Sequence, residues 1–409
     1  MWYELPKRWV KTAETVDQMT SGAAGLLRRP EEPRATYLEL FFDLVFVFVL
    51  ARLSQGLLEH LDWRDAFQTL VLLLALWLVW TQTAGLTDRL EPQQPLIQLL
   101  VIATMFGTLL MAAATPEAFR ELGLVFAGLY VATQIGRSAA VVFLLRGHEA
   151  RGAFVRPLFW SCVSAVPWIA GAVAHDTARG VLWALAVAVE YGALAFGLPA
   201  PRLGRARAAE FAISAPHLAE RYRQLFIIAL GELILVTGLT FSRGRFEPDR
   251  IAAVVVAFTT TALLWRIYIH RAGRLLAEAI AAAPDPFRAV IPATYAHLLM
   301  VSGIVAIAVA DELVIELPLG HTPPAWITVI LGGPALFLAG RGMFEYTVFG
   351  RVSRSRPIGV LVLAAISPAA YFLPPLLVAM APALVLAGIA VSDAARARGR
   401  PPEPPSPPG

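Results

Sequence analysis

Cysteine is almost absent from this chain: its 409 residues include one, Cys162. That residue lies inside an apolar run, so no intramolecular disulfide can form and no redox compartment follows. Histidine is scarce, with seven scattered copies, and one thiol beside them makes no clustered soft metal site. Charge is short as well. Only 16% of residues are Asp, Glu, Lys or Arg, against roughly 25% in an ordinary soluble domain. The local signatures of enzymes are missing: there is no His-Glu-x-x-His, no Gly-x-Ser-x-Gly, no P-loop and no Gly-x-Gly-x-x-Gly before a helix. No catalytic motif, cofactor site or metal site is therefore expected, although dispersed residues would still allow an intramembrane enzyme acting on lipid. The amino terminus, MWYELPKRWVKTAETVDQMTSG, lacks the apolar core of a cleaved signal peptide. The first helix is left to serve as an uncleaved insertion signal.

What is there is apolar. Hydrophobic residues make up 57% of the chain and the mean hydropathy is +0.63. A spanning helix needs about 20 mainly apolar residues, and such windows follow one another along the sequence. The reading is an all-α, polytopic membrane protein of about twelve transmembrane helices. The candidate spans are 37–57, 66–86, 95–115, 122–145, 157–176, 179–199, 223–241, 251–270, 288–310, 325–341, 357–373 and 375–392. Pro374 and Pro375 make the last two either a pair joined by a tight turn or one irregular element. A polar amino-terminal segment, 1–36, precedes them; a polar connector, 200–222, separates two six-helix halves, 37–199 and 223–392; a proline-rich tail, 393–409, is expected to be disordered.

The formal charge of +4 and pI near 9.4 need no nucleic-acid partner, because the basic residues fall between apolar segments. With the amino terminus inside, inner segments hold 26 of the 34 Lys and Arg residues and outer loops hold 7. That bias favours both termini being cytoplasmic. The halves also echo each other. RQLFIIALGELILVTG opens span seven much as LELFFDLVFVFVLARL opens span one, and Trp77 and Trp80 in span two match Trp265 and Tyr268 in span eight. Six spans per half would make such repeats parallel.

Ionisable residues inside spans are rare and mark candidate sites. Glu39 and Asp43 share one face of span one. Like charges there favour a cationic partner or a retained proton. Glu232 lies deep in span seven beside Gly231, His297 early in span nine, and Glu190 and Arg137 in spans six and four. At about 1.5 Å per residue, Asp43 lies about 9 Å from the cytoplasmic face, His297 and Trp80 about 12 Å, Arg137 roughly 13 Å and Glu232 about 15 Å. One polar level is expected. Structural readings stand beside the functional ones. Glu39 suits an interfacial acid at a helix amino end, Asp43 a structural salt bridge to Arg137, and His297 a core hydrogen bond. Trp80 and Tyr268 suit packing or interfacial anchoring. Glu220 and Arg221 are expected at the membrane surface.

YLELFFDLVFVFVLARLS in span one and AERYRQLFIIALGELIL entering span seven resemble the two signature blocks of the bacterial low temperature requirement protein A family. The resemblance extends over most of residues 34–395, including YAHLLMVSGIVAIAVADE in span nine. Its matched positions are Glu39, Leu40, Phe41, Phe42, Asp43, Glu220, Arg221, Gly231, Glu232 and His297. Leu233 departs from the small or hydroxylated residue usual after the second acid. The family implies a multi-pass bacterial membrane protein with a growth requirement in the cold. The expectation is a secondary transporter, proton-coupled through intramembrane carboxyls, acting in the lipid bilayer on a small-molecule substrate. Asp43 and Glu232 would carry the proton, His297 would assist, Arg137 would balance charge, and Glu39, Trp80 and Tyr268 complete the set. The alternative is a non-transporting scaffold, or a protein responsive to lipid state, whose acids only lock helices.

Overall fold

A computed structural model describes residues 25–28, 35–205, 214–270, 272–283, 286–398 and 404–407. The described residues form thirteen α-helices and no β-strand. They are α1 Tyr37–Glu59, α2 Trp63–Thr87, α3 Pro95–Ala114, α4 Gly123–Leu144, α5 Arg151–Val173, α6 Asp176–Ala195 and α7 Ala215–Ser242, then α8 Pro248–Ile269, α9 Ala272–Ala282, α10 Pro286–Glu316, α11 Pro324–Phe349, α12 Ser355–Ala370 and α13 Pro375–Ala397. Eleven are long and apolar enough to cross a bilayer. The shorter apolar helix α12 occupies the eleventh of the twelve expected spans. Pro374 ends the break before α13, because proline sits readily at a helix start and cannot continue a helix behind it, and the last two elements are separate helices.

Several elements differ from the expected spans. α7 begins at Ala215, inside the expected connector, because Arg221 is buried and the stretch before it packs as helix. α13 continues to Ala397, since Asp393 is held by Arg356 and Arg396. α9, an eleven-residue helix, fills what reads as a loop and buries Leu276, Ala279 and Ile280. Most of the amino-terminal segment, part of the connector and part of the proline-rich tail lie outside the described residues.

The chain divides into two compact units. The first comprises residues up to Phe42 and Leu78–Ser214. Its core is aromatic: Trp168, Trp183, Tyr130 and Phe126 are fully buried, and the Trp168 and Trp183 rings lie 5.3 Å apart. The second unit comprises Asp43–Trp77 and Ala215–Gly409. Its core is the hairpin of α10 and α11, which touch almost backbone to backbone. A Cβ added at Gly303 would meet the Gly333 carbonyl oxygen at 2.6 Å, and one at Gly340 would meet the Met300 nitrogen at 2.8 Å. Without a hydrophobic force between helices in lipid, such close approach supplies the van der Waals contact that holds them.

Candidate functional site

The first unit holds Glu39, Trp80 and Arg137. Glu39 is wholly buried and closes a reciprocal cap at the start of α1: Thr36 N donates to Glu39 Oε2 at 2.7 Å, and Thr36 Oγ1 accepts from Glu39 N at 3.4 Å. This Thr-x-x-Glu arrangement satisfies two amide donors that an isolated helix start leaves open. Arg28 lies 3.7 Å from the same carboxylate. The acid does serve the helix amino end, but as a buried cap rather than an exposed interfacial charge. Trp80 is fully buried in α2.

Arg137 does not pair with Asp43. Its guanidinium donates to Thr83 Oγ1 at 2.8 Å, Gln82 Oε1 at 2.7 Å, the Val79 carbonyl and Gln134 Oε1. The chain continues from Gln134 to the Tyr130 hydroxyl, which donates to Glu190 Oε2 at 2.7 Å, while Ser164 donates to Glu190 Oε1 at 2.7 Å. Arg137 and Glu190 are joined through two intervening side chains, a fully bonded buried network of the kind that fixes one arrangement of helices. Beyond the end of α2, burial pushes the Arg89 guanidinium down to about 10, against the opposing pull of Asp88, so it stays cationic at neutral pH.

The second unit holds Asp43, Glu232, His297 and Tyr268, and it sorts them into two levels instead of one. Asp43 is completely buried and receives two bonds from Arg221, Nη1 to Oδ2 and Nη2 to Oδ1, each 2.8 Å. This two-bond fork through both Nη atoms is among the strong ion-pair geometries open to a carboxylate. It places Arg221 in the interior, where the sequence reading put it at the membrane surface. The adjacent Tyr222 stacks on His297 with ring centroids 4.4 Å apart. His297 has Nδ1 2.7 Å from the Ala293 carbonyl and Nε2 3.0 Å from the Tyr268 hydroxyl. Both ring nitrogens are engaged, so the histidine is held in place as a core group.

Eleven residues further along both helices, the second level begins. Ser54 Oγ donates to Glu232 Oε1 at 3.0 Å. The two contacts have the same sequence offset, 178, so α1 and α7 lie parallel and in register. Eleven residues are close to three whole turns, which returns both contacts to one face. Glu232 is fully buried, and its Oε2 has no hydrogen-bond partner. No Arg, Lys or His forms an ion pair with it among the described residues. Measured from Ala215 it lies roughly 25 Å along α7, and about 15 Å from Ser242; this places it nearer the opposite end from Asp43.

Asp311, absent from the sequence reading, belongs to this second level. It is 8% exposed, its Oδ2 is buried without a partner, and it lies within electrostatic reach of Glu232. Its sequence context hides it. Asp311, Glu312 and Glu316 close α10 together and read as an acidic span end, yet Glu312 faces Arg243 at the surface, 3.5 Å away. Of the three acids only Asp311 is buried. Among the described residues no three His, Cys, Asp or Glu side chains come together as metal ligands.

A family model described as Bacterial low temperature requirement A protein matches residues 34–391. An uncharacterized protein of Rhizobium meliloti (strain 1021) is 35% identical over 341 residues, covering 82% of this chain and 83% of its own length. No solved structure matches. With its signature blocks carried on α1 and α7 and the match running from just before α1 into α13, the chain belongs to the bacterial low temperature requirement A family.

Proposed function

We propose that this multi-pass protein is a secondary transporter of the bacterial inner membrane, with both termini cytoplasmic, that moves a small-molecule substrate coupled to protons through the Glu232 carboxyl. One observation carries this reading: Glu232 is buried inside a membrane-spanning helix with one oxygen held by Ser54 and the other without a partner. An uncompensated charge there is expensive. A carboxyl that changes charge only when water or a cation reaches it is suited to coupling. Asp43 leaves the proton-carrying role, because Arg221 occupies both of its oxygens.

Proteoliposomes carrying the full chain, a pH-sensitive dye and an imposed potassium diffusion potential test the reading. Wild type should pass protons, and Glu232→Gln should stop the flux while leaving the fold intact. Flux that survives Glu232→Gln removes this residue from the mechanism.

The doubly bonded Asp43–Arg221 pair favours a second reading, a non-transporting scaffold or lipid-state-responsive protein that supports growth in the cold. Its acids would lock helices and nothing more. Wild-type liposomes without any flux, alongside a cold-growth defect in Asp43→Asn cells, would decide for it. Neither reading gives the protein an enzymatic step.

A further inference from the structure

A small cavity lies beside the unpartnered Asp311. Four helices of the second unit wall it: α8 with Thr260, α10 with Asp311, α11 with Ile330 and Pro334, and α13 with Pro382. It measures about 20 Å³, where roughly 10–15 Å³ accommodates one water. One water-sized occupant fits.

The polar groups lining it present oxygen atoms. Asp311 brings a carboxylate that is nine-tenths buried, with an oxygen lacking any partner. Thr260 adds a buried hydroxyl. Two wall residues are prolines inside helices, Pro334 and Pro382. A proline has no amide hydrogen, so the carbonyl one turn earlier loses its helical donor. For Pro334 that carbonyl belongs to Ile330, itself a wall of the cavity. Freed carbonyls at membrane depth are tolerated where they line a cavity, and there they coordinate coupling ions.

We infer that Asp311, Thr260 and the Ile330 carbonyl form a binding site for one dehydrated monovalent cation of sodium's size. Charge selects the valence. One carboxylate balances one positive charge, whereas a divalent ion would leave a net charge in a low-dielectric interior. Oxygen donors without imidazole or thiolate select a hard ion over a transition metal. Glu232, close enough to sense the charge on Asp311, would feel the ion come and go. As a coupling-ion site it deepens the transport reading and rests on that reading for its role, but binding itself is measured without flux, so the two fail separately.

The test uses the full chain purified in detergent, with thermal unfolding followed in sodium chloride against choline chloride at constant ionic strength. Sodium should raise the melting temperature of wild type saturably. Asp311→Asn should abolish that dependence, and Thr260→Val should raise the sodium midpoint by roughly tenfold, the scale of one polar contact. Radioactive sodium binding to wild type, displaced by excess unlabelled sodium, gives a second measurement if Asp311→Asn does not fold. A wild type indifferent to sodium and stabilised only by acidification overturns the inference, since the carboxyl then holds a proton alone. Sodium stabilisation that persists in Asp311→Asn overturns it too, because the ion then binds elsewhere.

Discussion

At the scale of single residues, four buried acids illustrate four ways of placing a carboxyl in an apolar bundle. Glu39 caps a helix, Asp43 is forked by arginine, Glu190 accepts two hydroxyls, and Glu232 is left half satisfied. Removing one partner of a buried ion pair strands the other, which typically costs about 3–5 kcal/mol. Asp43→Asn should therefore lower the unfolding free energy by that order in detergent. The double variant Asp43→Leu with Arg221→Met should recover most of the loss, since apolar replacement of both partners is often neutral. Thr36→Ala removes a cap, and about 1 kcal/mol of stability should go with it in the same assay. Asp43 and Glu232 are legible in the sequence because a charge in an apolar run stands out. Arg221 is not, because Glu220, Arg223 and Gln224 surround it with polar residues that only helical phase separates from the buried face. Asp311 is masked in the same way by its acidic neighbours, and Ser54 by the ordinariness of a hydroxyl.

At the scale of elements, arginine takes over work that loops and water do in soluble proteins. The last carbonyls of a helix have no partner of their own. Arg250 donates to Thr240 near the end of α7 and to Ile315 near the end of α10. Arg341 does the same for Ile267 and His270 at the end of α8, and Arg179 for Gly171, Ala172 and Ala174 at the end of α5. Several arginines counted as loop charges are thus buried clamps. Helix number and type are legible from apolar run length. The start of α7 and the far end of α13 are not, because the buried Arg221 and Asp393 each put a charge where an apolar run would be read as ending. Close packing is also hidden. Gly303 and Gly340 read as any glycine until α11 is seen against α10. Gly303→Val should force these backbones apart and destabilise by about 1–3 kcal/mol, the range for overpacking, measured as a fall in melting temperature. Gly388, with open space around its absent side chain, should tolerate alanine in the same assay.

At the scale of the whole molecule, the apolar residues left on the outside are the ones a bilayer would cover. Tyr37, Trp63, Phe246 and Phe372 are strongly exposed and all stand at or just beyond helix ends, where aromatic rings anchor at the lipid–water boundary. Cys162 is exposed near the middle of α5, about 16 Å from either end of the helix. In membranes its thiol should resist a charged, water-soluble maleimide and react only with a membrane-permeant one, or after detergent extraction. Ready labelling by the charged reagent in sealed vesicles would contradict the span assigned to α5. With Cys162→Ser as background, single cysteines at residues 62 and 352 should label from opposite sides of the membrane.

The matched register of α1 and α7 has a mechanical consequence. One end is hung on an ion pair that costs several kcal/mol to open; the other is latched by one hydroxyl of about 1 kcal/mol. Separation of α1 from α7 should therefore start at the Ser54–Glu232 end, while Arg250, donating to Thr240 of α7 and Ile315 of α10, keeps that end of α7 fastened to α10.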